Sequence, residues 1–155
     1  MFLDQTIVAL DNQITDQATK RMLQNVIDRK RKFDLLKKKH FWTTIVALVL
    51  GLLFVIYMYY LVVQPYSYSF FDMLTFFINK SNSLLYCGVV VGCYGYMLVL
   101  KKKTDKAEKE YHALRCEIVD RSKDLWKQEY AWKERHKIFL IMKEKYDINL
   151  FHENK

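Results

Sequence analysis

Three residues that can ligate zinc follow one another at four-residue steps, Glu108, His112 and Cys116. In a helix, side chains four residues apart lie on one face, so all three would point the same way. A structural zinc ion takes four tetrahedral ligands, which one straight helix rarely supplies, and the sequence offers no evident fourth ligand. We therefore interpret the series as a solvated helix face with a small buried cysteine, and we expect neither a metal nor a cofactor.

No other sequence pattern indicates catalysis. The sequence has no glycine-rich phosphate loop, no HExxH zinc motif and no GxSxG nucleophile motif. Its three cysteines, Cys87, Cys93 and Cys116, lack the spacing of a metal-binding or redox pair. We therefore expect no catalytic residues and a protein that is not an enzyme.

A GxxxG motif, Gly88 to Gly92, lies within an apolar stretch, and Gly95 follows it. Glycines at this spacing remove side chains from one helix face and allow another helix to approach closely. Ala47 and Gly51 have the matching spacing in an earlier apolar stretch. We predict that these five residues mediate helix packing, either between the two stretches of one chain or between two chains as a homodimer.

Two apolar runs without Asp, Glu, Lys, Arg or His contain these small residues, Phe41–Val63 and Leu84–Leu100. The first has 23 residues, enough to cross about 30 Å of hydrocarbon with some tilt, and the second has 17, near the short limit. Trp42 and a group of tyrosines lie at opposite ends of the first run, as aromatic belts do, and Pro65 ends it. Transporters and proton pathways need charged groups at this depth, so we interpret both runs as membrane anchors.

Basic residues flank both runs on what would be one side of the membrane. Residues 1–40 carry nine Lys/Arg and five Asp, residues 101–155 carry fifteen Lys/Arg and eleven acidic residues, and only Lys80 and Asp72 lie between them. The positive-inside rule places both termini in the cytoplasm. Because topology already accounts for the charge, we do not expect nucleic acid as a partner. Ten basic residues would set the topology and attract the anionic leaflet of membrane lipid: Arg29, Lys30, Arg31, Lys32, Lys37, Lys38, Lys39, Lys101, Lys102 and Lys103.

The connection between the runs, residues 64–83, is rich in aromatic residues. Ser69 precedes Asp72 at the spacing of a capping pair, which predicts a short helix over roughly residues 70–79. Its apolar composition places this helix in the outer headgroup layer. The helix would be either an interfacial anchor, which we favour, or a lid or partner surface.

The C-terminal arm is predicted to be one helix from Lys101 to about Tyr146, and apolar residues recur along it every seven residues. The companion heptad position, three residues after each of these apolar residues, is polar at Arg121 and Gln128, which favours packing against the unlike N-terminal arm over a parallel zipper. In an antiparallel arrangement Phe33 would lie level with Glu108. A seven-residue apolar series indicates this coiled-coil-like pairing, or a partner surface: Tyr111, Ile118, Leu125, Trp132, Phe139 and Tyr146.

The far end of the C-terminal arm is apolar on all sides of its helix over residues 138–142, and Ile148, Leu150 and Phe151 follow. An exposed apolar tip of this kind needs a cover. A partner protein or the N-terminal segment would supply it, since four apolar residues of that segment also have helical spacing: Leu3, Ile7, Leu10 and Ile14.

Three basic stretches and the order of the segments carry a family resemblance. The stretches are Asp16-Gln-Ala-Thr-Lys-Arg-Met-Leu, Arg29-Lys-Arg-Lys-Phe-Asp and Lys37-Lys-Lys-His-Phe-Trp. With a short basic arm, two apolar runs and a long charged C-terminal helix, the chain resembles the YpbF-like family of small bacterial membrane proteins. The resemblance implies a bacterial cytoplasmic-membrane protein and transfers no site residues.

We therefore expect an all-α membrane protein, a two-span helical hairpin whose long cytoplasmic terminal helices form an antiparallel coiled-coil-like stalk. Its segments would be the N-terminal arm 1–40, spans 41–63 and 84–100, the connection 64–83 and the C-terminal helix 101–155. The favoured function is a scaffold or adaptor that presents a cytoplasmic helical surface to a protein partner. The alternatives are a regulatory subunit that contacts a membrane complex through the glycine face of the second span and, third, a membrane enzyme.

Overall fold

The computed structural model describes residues 15–151, which are helical almost throughout and contain no strand. Helix α1 (Gln17–Met58) continues into a π-helical turn (Tyr59–Val63), and α2 (Phe70–Asn79) follows. The prediction of an all-α protein is confirmed. The predicted helical spacing of Leu3 to Ile14 lies outside the described residues. The remaining helices are α3 (Ser81–Asp120), α4 (Ser122–Leu125) and α5 (Glu129–Tyr146).

The helices form two compact units. The first, which we call the charged unit, contains the described residues up to Leu35 and those from Asp105 onward. The second, which we call the apolar unit, is Leu36–Thr104. Helices α1 and α3 are therefore each divided into two segments, one in each unit.

In the apolar unit, α1 ends just before the proline of the sequence. The Gln64 amide donates to the carbonyl of Tyr59 at 2.9 Å, five residues back instead of four. Pro65 has no N–H, and its ring would clash with the carbonyl of the preceding turn if the helix continued. The wider π turn is thus the last helical turn before the connection.

Helix α2 begins where the capping pair predicts. Ser69 has an extended backbone, and its Oγ accepts a hydrogen bond from the Asp72 amide at 3.3 Å. The Tyr66 ring packs on Phe76 with centroids 5.0 Å apart, which fixes the preceding turn against the helix. The predicted short helix is confirmed, and its place in the headgroup layer stays a prediction.

The end of α1 contacts the start of α3 through polar and aromatic side chains. Tyr57 Oη and Ser83 Oγ are hydrogen-bonded at 2.8 Å, and Ser83 is fully buried. The ring of Tyr86 lies edge-on to Phe54 and Tyr57, with centroids 5.4 and 5.8 Å apart. Such edge-to-face pairs contribute about 0.5–1.5 kcal/mol beyond the area they bury.

The charged unit has an apolar core formed by its segments of α1 and α3, by α5, and by residues that follow α4 and α5. Phe33 of α1 stacks on Tyr111 of α3 with centroids 6.3 Å apart, and Thr19 Oγ1 donates to the Leu125 carbonyl at 3.4 Å. Residues earlier in α1 thus contact residues later in the chain, which is antiparallel order. Phe33 lies one helical turn from its predicted level at Glu108. The fully buried core side chains include Leu23, Val26, Ile27, Ile118, Trp126, Met142, Ile148 and Leu150.

The prediction of one continuous C-terminal helix from Lys101 to about Tyr146, and with it a long helix over 101–155, is wrong. The helix is interrupted at Arg121 and again between Trp126 and Gln128. Arg121 and Gln128 are the polar companion positions of the heptad, where a continuous helix would have placed polar side chains on its packing face. The interruptions turn the chain instead, so that Trp126 is buried and α5 starts a new apolar face.

The chain turns back on itself after α5. Asp147 has φ 56° and ψ 38°, and the amides of Asp147 and Ile148 donate to the carbonyls of Lys143 and Met142. This left-handed turn directs Ile148 and Leu150 into the core. Among the described residues, the C-terminal segment itself therefore covers part of the apolar tip.

Candidate functional site

The apolar unit presents its large apolar side chains outward. Leu48, Leu52 and Val55 of α1 are each more than 60% exposed, as are Leu85 and Val91 of α3. In the most apolar windows of α1 with its π turn and of α3, only 6% and 11% of the residues are buried. The core helix of a soluble protein would be mostly buried. Both helices are long and apolar enough to cross a membrane.

The ten predicted basic residues fall into two groups. In the charged unit, Arg29 forms an ion pair with Glu110, and the Arg31 guanidinium lies 5.8 Å from the ring centroid of Tyr146. These cations contribute to packing within that unit. In the apolar unit, the lysines 37–39 and 101–103 are all exposed next to the apolar segments. The structure thus distinguishes basic residues that stabilise the charged unit from those that border the apolar surface.

Lys30, also among the ten, is held in an aromatic and acidic pocket of the charged unit. Its Nζ lies 3.2 Å from Asp34 and 3.4 Å from Asp147, and 5.9 and 5.7 Å from the ring centroids of Phe33 and Tyr111. Burial lowers the pKa of Lys30, but hydrogen bonds and charges from the two carboxylates outweigh it and hold the pKa above 10.5. Burial also raises the pKa of Tyr111 above 10.0. Through its contacts with Tyr111 and Asp147, Lys30 connects α1 to α3 and to the turn after α5.

The predicted packing glycines have open space around them. A Cβ built on Gly51, Gly88, Gly92 or Gly95 would have no atom within 4 Å apart from the backbone of its own helix, and the three glycines of α3 are exposed. Within the described chain, no helix approaches these glycines closely. Of the two predicted alternatives, packing between the spans of one chain has no support from these contacts. Pairing with a second chain stays a prediction.

A groove with apolar walls runs between α1 and α3 beside the glycines. Its volume is about 520 Å³. Trp42 and Val46 form the α1 wall, and the α3 wall includes Gly92 and Tyr96. Thr43 also lines it, but the Thr43 hydroxyl donates to the Lys39 carbonyl at 2.9 Å, so its one hydrogen-bond donor is used by its own helix. The sequence did not single out this groove, because its lining comes from positions far apart in the chain.

The six residues of the heptad series have different environments. Tyr111, Ile118 and Phe139 are buried within the charged unit. The other three, Leu125, Trp132 and Tyr146, are partly exposed. The guanidinium of Arg135 stacks 3.3 Å from the ring centroid of Trp132. Half of the series therefore supplies the core of the unit, and Trp132 and Tyr146 are the aromatic members that solvent can reach.

Trp126 is a core residue that the heptad pattern does not identify. It is 1% exposed, and its ring lies edge-on to Phe139 at 5.5 Å; Phe139 lies edge-on to Phe151 at 5.4 Å. The break after Leu125 shifts the buried position by one residue, from the heptad site to its neighbour. A tryptophan among charged residues is the signal that could have identified it.

The zinc-ligand series does not form a metal site in the structure. Glu108 and His112 approach each other at 4.0 Å on the surface of α3, and Cys116 is partly buried. Among residues 15–151, no group of three or more His, Cys, Asp or Glu side chains could hold a metal ion. Glu108 and His112 therefore lie next to each other on a solvated face of α3.

Comparison with known protein families shows which family the chain belongs to. The model for the family described as "Protein of unknown function (DUF2663)" matches residues 22–153. The chain belongs to this family. The "Uncharacterized protein YpbF" of Bacillus subtilis (strain 168) is 37% identical over 153 residues, which covers 93% of this chain and 95% of that protein. No solved structure matches the chain. The resemblance to the YpbF-like family is confirmed, and the match includes segments of both units.

Proposed function

We propose that this chain is a non-enzymatic integral membrane protein that acts as a scaffold or adaptor. In this proposal the apolar unit crosses the bilayer twice as a helical hairpin, and the charged unit is the cytoplasmic stalk. The observation that carries the proposal is the difference in burial. The apolar segments of α1 and α3 leave their large side chains exposed, whereas the charged unit buries its apolar residues. This difference is expected of a chain with one unit in lipid hydrocarbon and the other in water.

The distribution of charge supports the orientation. The exposed lysines at 37–39 and 101–103 border the ends of the apolar segments nearest the charged unit in sequence. The connection between the segments contains only Lys80 and Asp72. The positive-inside rule then places both termini in the cytoplasm and α2 at the outer surface.

The accessible part of α5 is the best candidate for the interaction surface. Trp132 is partly exposed with Arg135 stacked on it, and Leu140, two turns further on, is 43% exposed. Trp and Arg are over-represented among residues that dominate binding energies. Because Tyr111, Ile118 and Phe139 are used inside the unit, the partner surface proposed for the heptad series reduces to this face.

Labelling of single cysteines tests the topology. With Cys87, Cys93 and Cys116 replaced by Ala, Ser67→Cys should react with a membrane-impermeant maleimide on intact cells. Lys145→Cys should react only after permeabilisation. Labelling of Lys145→Cys on intact cells, or release of the protein from membranes by alkaline carbonate, would contradict the proposal.

Photocrosslinking in native membranes tests the scaffold function. A photoreactive amino acid in place of Trp132 should capture one defined protein reproducibly, and Arg135→Glu should abolish that adduct. The control position is Lys106, an exposed residue of the same unit. Recovery of self-adducts alone, or the same adduct from Lys106, would count against an adaptor.

A second candidate function is favoured by the open glycines of α3. A regulatory subunit could contact a helix of a larger membrane complex through Gly88 and Gly92, where a Cβ has free space. In that case Gly88→Ile should release the partner while Trp132→Ala should not. The scaffold proposal predicts the opposite pattern.

A further inference from the structure

We propose that the apolar unit contains a binding site for one anionic phospholipid. An acyl chain would occupy the groove between α1 and α3, and the phosphate would lie against the adjacent lysines. This inference rests on the proposed function, since it requires the apolar unit to lie in a bilayer.

The groove has the dimensions and the chemistry of a site for an acyl chain. Its volume of about 520 Å³ falls within the roughly 300–1,000 Å³ of small-molecule sites. Val46 and Val89 form opposite walls, and Thr43 donates its hydroxyl proton to its own helix. The surface inside the groove therefore offers apolar contact with few hydrogen-bonding groups, which suits a hydrocarbon chain better than a polar ligand.

The groove lies near the lysine ends of both helices. Trp42 follows Lys39 by three residues, and Tyr96 precedes Lys101 by five, which correspond to about 5 and about 8 Å along a helix axis. Trp and Tyr are the residues typical of the boundary between hydrocarbon and headgroups. A lipid whose chain enters the groove would thus have its phosphate within reach of the lysine side chains.

Charge favours a lipid over a second copy of the chain as the occupant. The lysines at 37–39 and 101–103 are exposed in the same unit, whose one acidic residue in the sequence, Asp72, belongs to α2. A second copy seated at this groove would bring six further lysines to the same level. An anionic phosphate brings the opposite charge, and each basic residue near an anionic membrane surface contributes about 1 kcal/mol.

Gly92 keeps the groove open. Apart from its own helical backbone, a Cβ at this position would meet no atom within 4 Å, so the first atom of a larger side chain has free space. Gly92→Leu should therefore project into the groove and compete with an acyl chain. Gly95 has the same free space but does not line the groove, which makes Gly95→Leu a matched control.

The test uses the full chain in phosphatidylcholine vesicles that contain a trace of photoactivatable lipid. The diazirine is in the acyl chain, and the headgroup is either phosphatidylglycerol or phosphatidylcholine. We expect adducts at residues 89–96, formed several-fold more with phosphatidylglycerol. Gly92→Leu and Val46→Trp should remove these adducts, and Gly95→Leu should leave them unchanged. Neutralising either Lys39 or Lys102 with Gln should reduce the phosphatidylglycerol preference, by at most about fivefold.

Three results would overturn the lipid site. They are equal labelling with both headgroups, the same labelling in Gly92→Leu as in wild type, or loss of the adducts in the Gly95→Leu control. Alkaline carbonate extraction of the same samples separates the two proposals. A chain that resists extraction but shows no lipid preference refutes only the lipid site, and a chain that is extracted refutes membrane crossing itself.

Discussion

The two segments of α1 belong to one helix but have opposite surroundings. In the charged unit, Leu23, Val26 and Ile27 are completely buried. In the apolar unit, Leu48 and Leu52 of the same helix are 64% and 63% exposed. Burying apolar surface contributes roughly 25 cal/mol per Å² when the alternative is water. The first segment is therefore stabilised by the core of its own unit, whereas the second leaves side chains of the same type uncovered by the chain.

The packing of the two units differs in the same way. The charged unit fills its interior with large side chains, among them Trp126 against Phe139. The apolar unit leaves a groove and open glycines beside its helices, and the hydrogen bond between Tyr57 and Ser83 lies at the end near the connection. Dense packing excludes ligands, whereas the loose packing of the apolar unit leaves space for lipid or for another helix.

The largest expected effect comes from removing the central side chain of the charged unit. Trp126→Ala should lower its free energy of unfolding by about 3–5 kcal/mol, because it empties a fully enclosed site. Limited proteolysis of the chain in nanodiscs should show faster cleavage after Lys123 and Lys127. The control is Trp132→Ala, where the ring is partly exposed and the loss should be much smaller. Equal protection of both variants would contradict a core centred on Trp126.

The next largest effect concerns the exposed face of α1. Leu52→Asp should oppose membrane insertion by about 2.5–3.5 kcal/mol if this face contacts hydrocarbon. At an exposed position in water, the same change would alter stability by no more than about 0.5 kcal/mol. The carbonate-resistant fraction of the protein measures the difference, with Leu52→Ala as control. An unchanged carbonate-resistant fraction in Leu52→Asp would contradict contact of this face of α1 with hydrocarbon.

A smaller effect is expected at the hydrogen bond between Tyr57 and Ser83. In a membrane, side-chain hydrogen bonds between helices average about 0.6 kcal/mol, with a maximum of about 1.7. A double-mutant cycle with Tyr57→Phe and Ser83→Ala, followed by denaturation in detergent micelles, should give a coupling energy in this range. A coupling near zero would show that the ends of α1 and α3 are not held together by this pair.

The sequence predicted those elements that local chemistry determines. Ser69 and Asp72 predicted the start of α2, because a capping side chain acts within one helical turn. Phe33 was predicted within one turn of its contact with Tyr111, because antiparallel helices with a common rise have a calculable register.

The sequence did not predict features that depend on tertiary packing. Breaks at Arg121 and Gln128 occur without glycine or proline, and they flank Trp126, which is buried in the core. The polar residues at these two positions were visible in the heptad, but they indicated an unlike partner helix as readily as an interruption. The groove beside Gly92 likewise needed the positions of two helices that are distant in the chain.

The smallest effect is expected in the charged unit, and it should appear only in alkaline solution. Lys30 and Tyr111 have pKa values raised above 10.5 and 10.0, so the folded state retains both protons more tightly than the unfolded state. Their contribution to stability is complete below pH 10.0 and is lost as the pH rises through the folded pKa values.

Near-ultraviolet circular dichroism, which reports on the buried Trp126, should therefore show a free energy of unfolding that declines above this pH. Lys30→Met should make the decline shallower, because the variant lacks one of the two protons that folding retains. The carbonate-resistant membrane fraction should stay constant over the same range, since the exposed apolar side chains of α1 and α3 do not titrate. If the free energy of unfolding and the carbonate-resistant fraction declined together, the two units would not respond to pH independently.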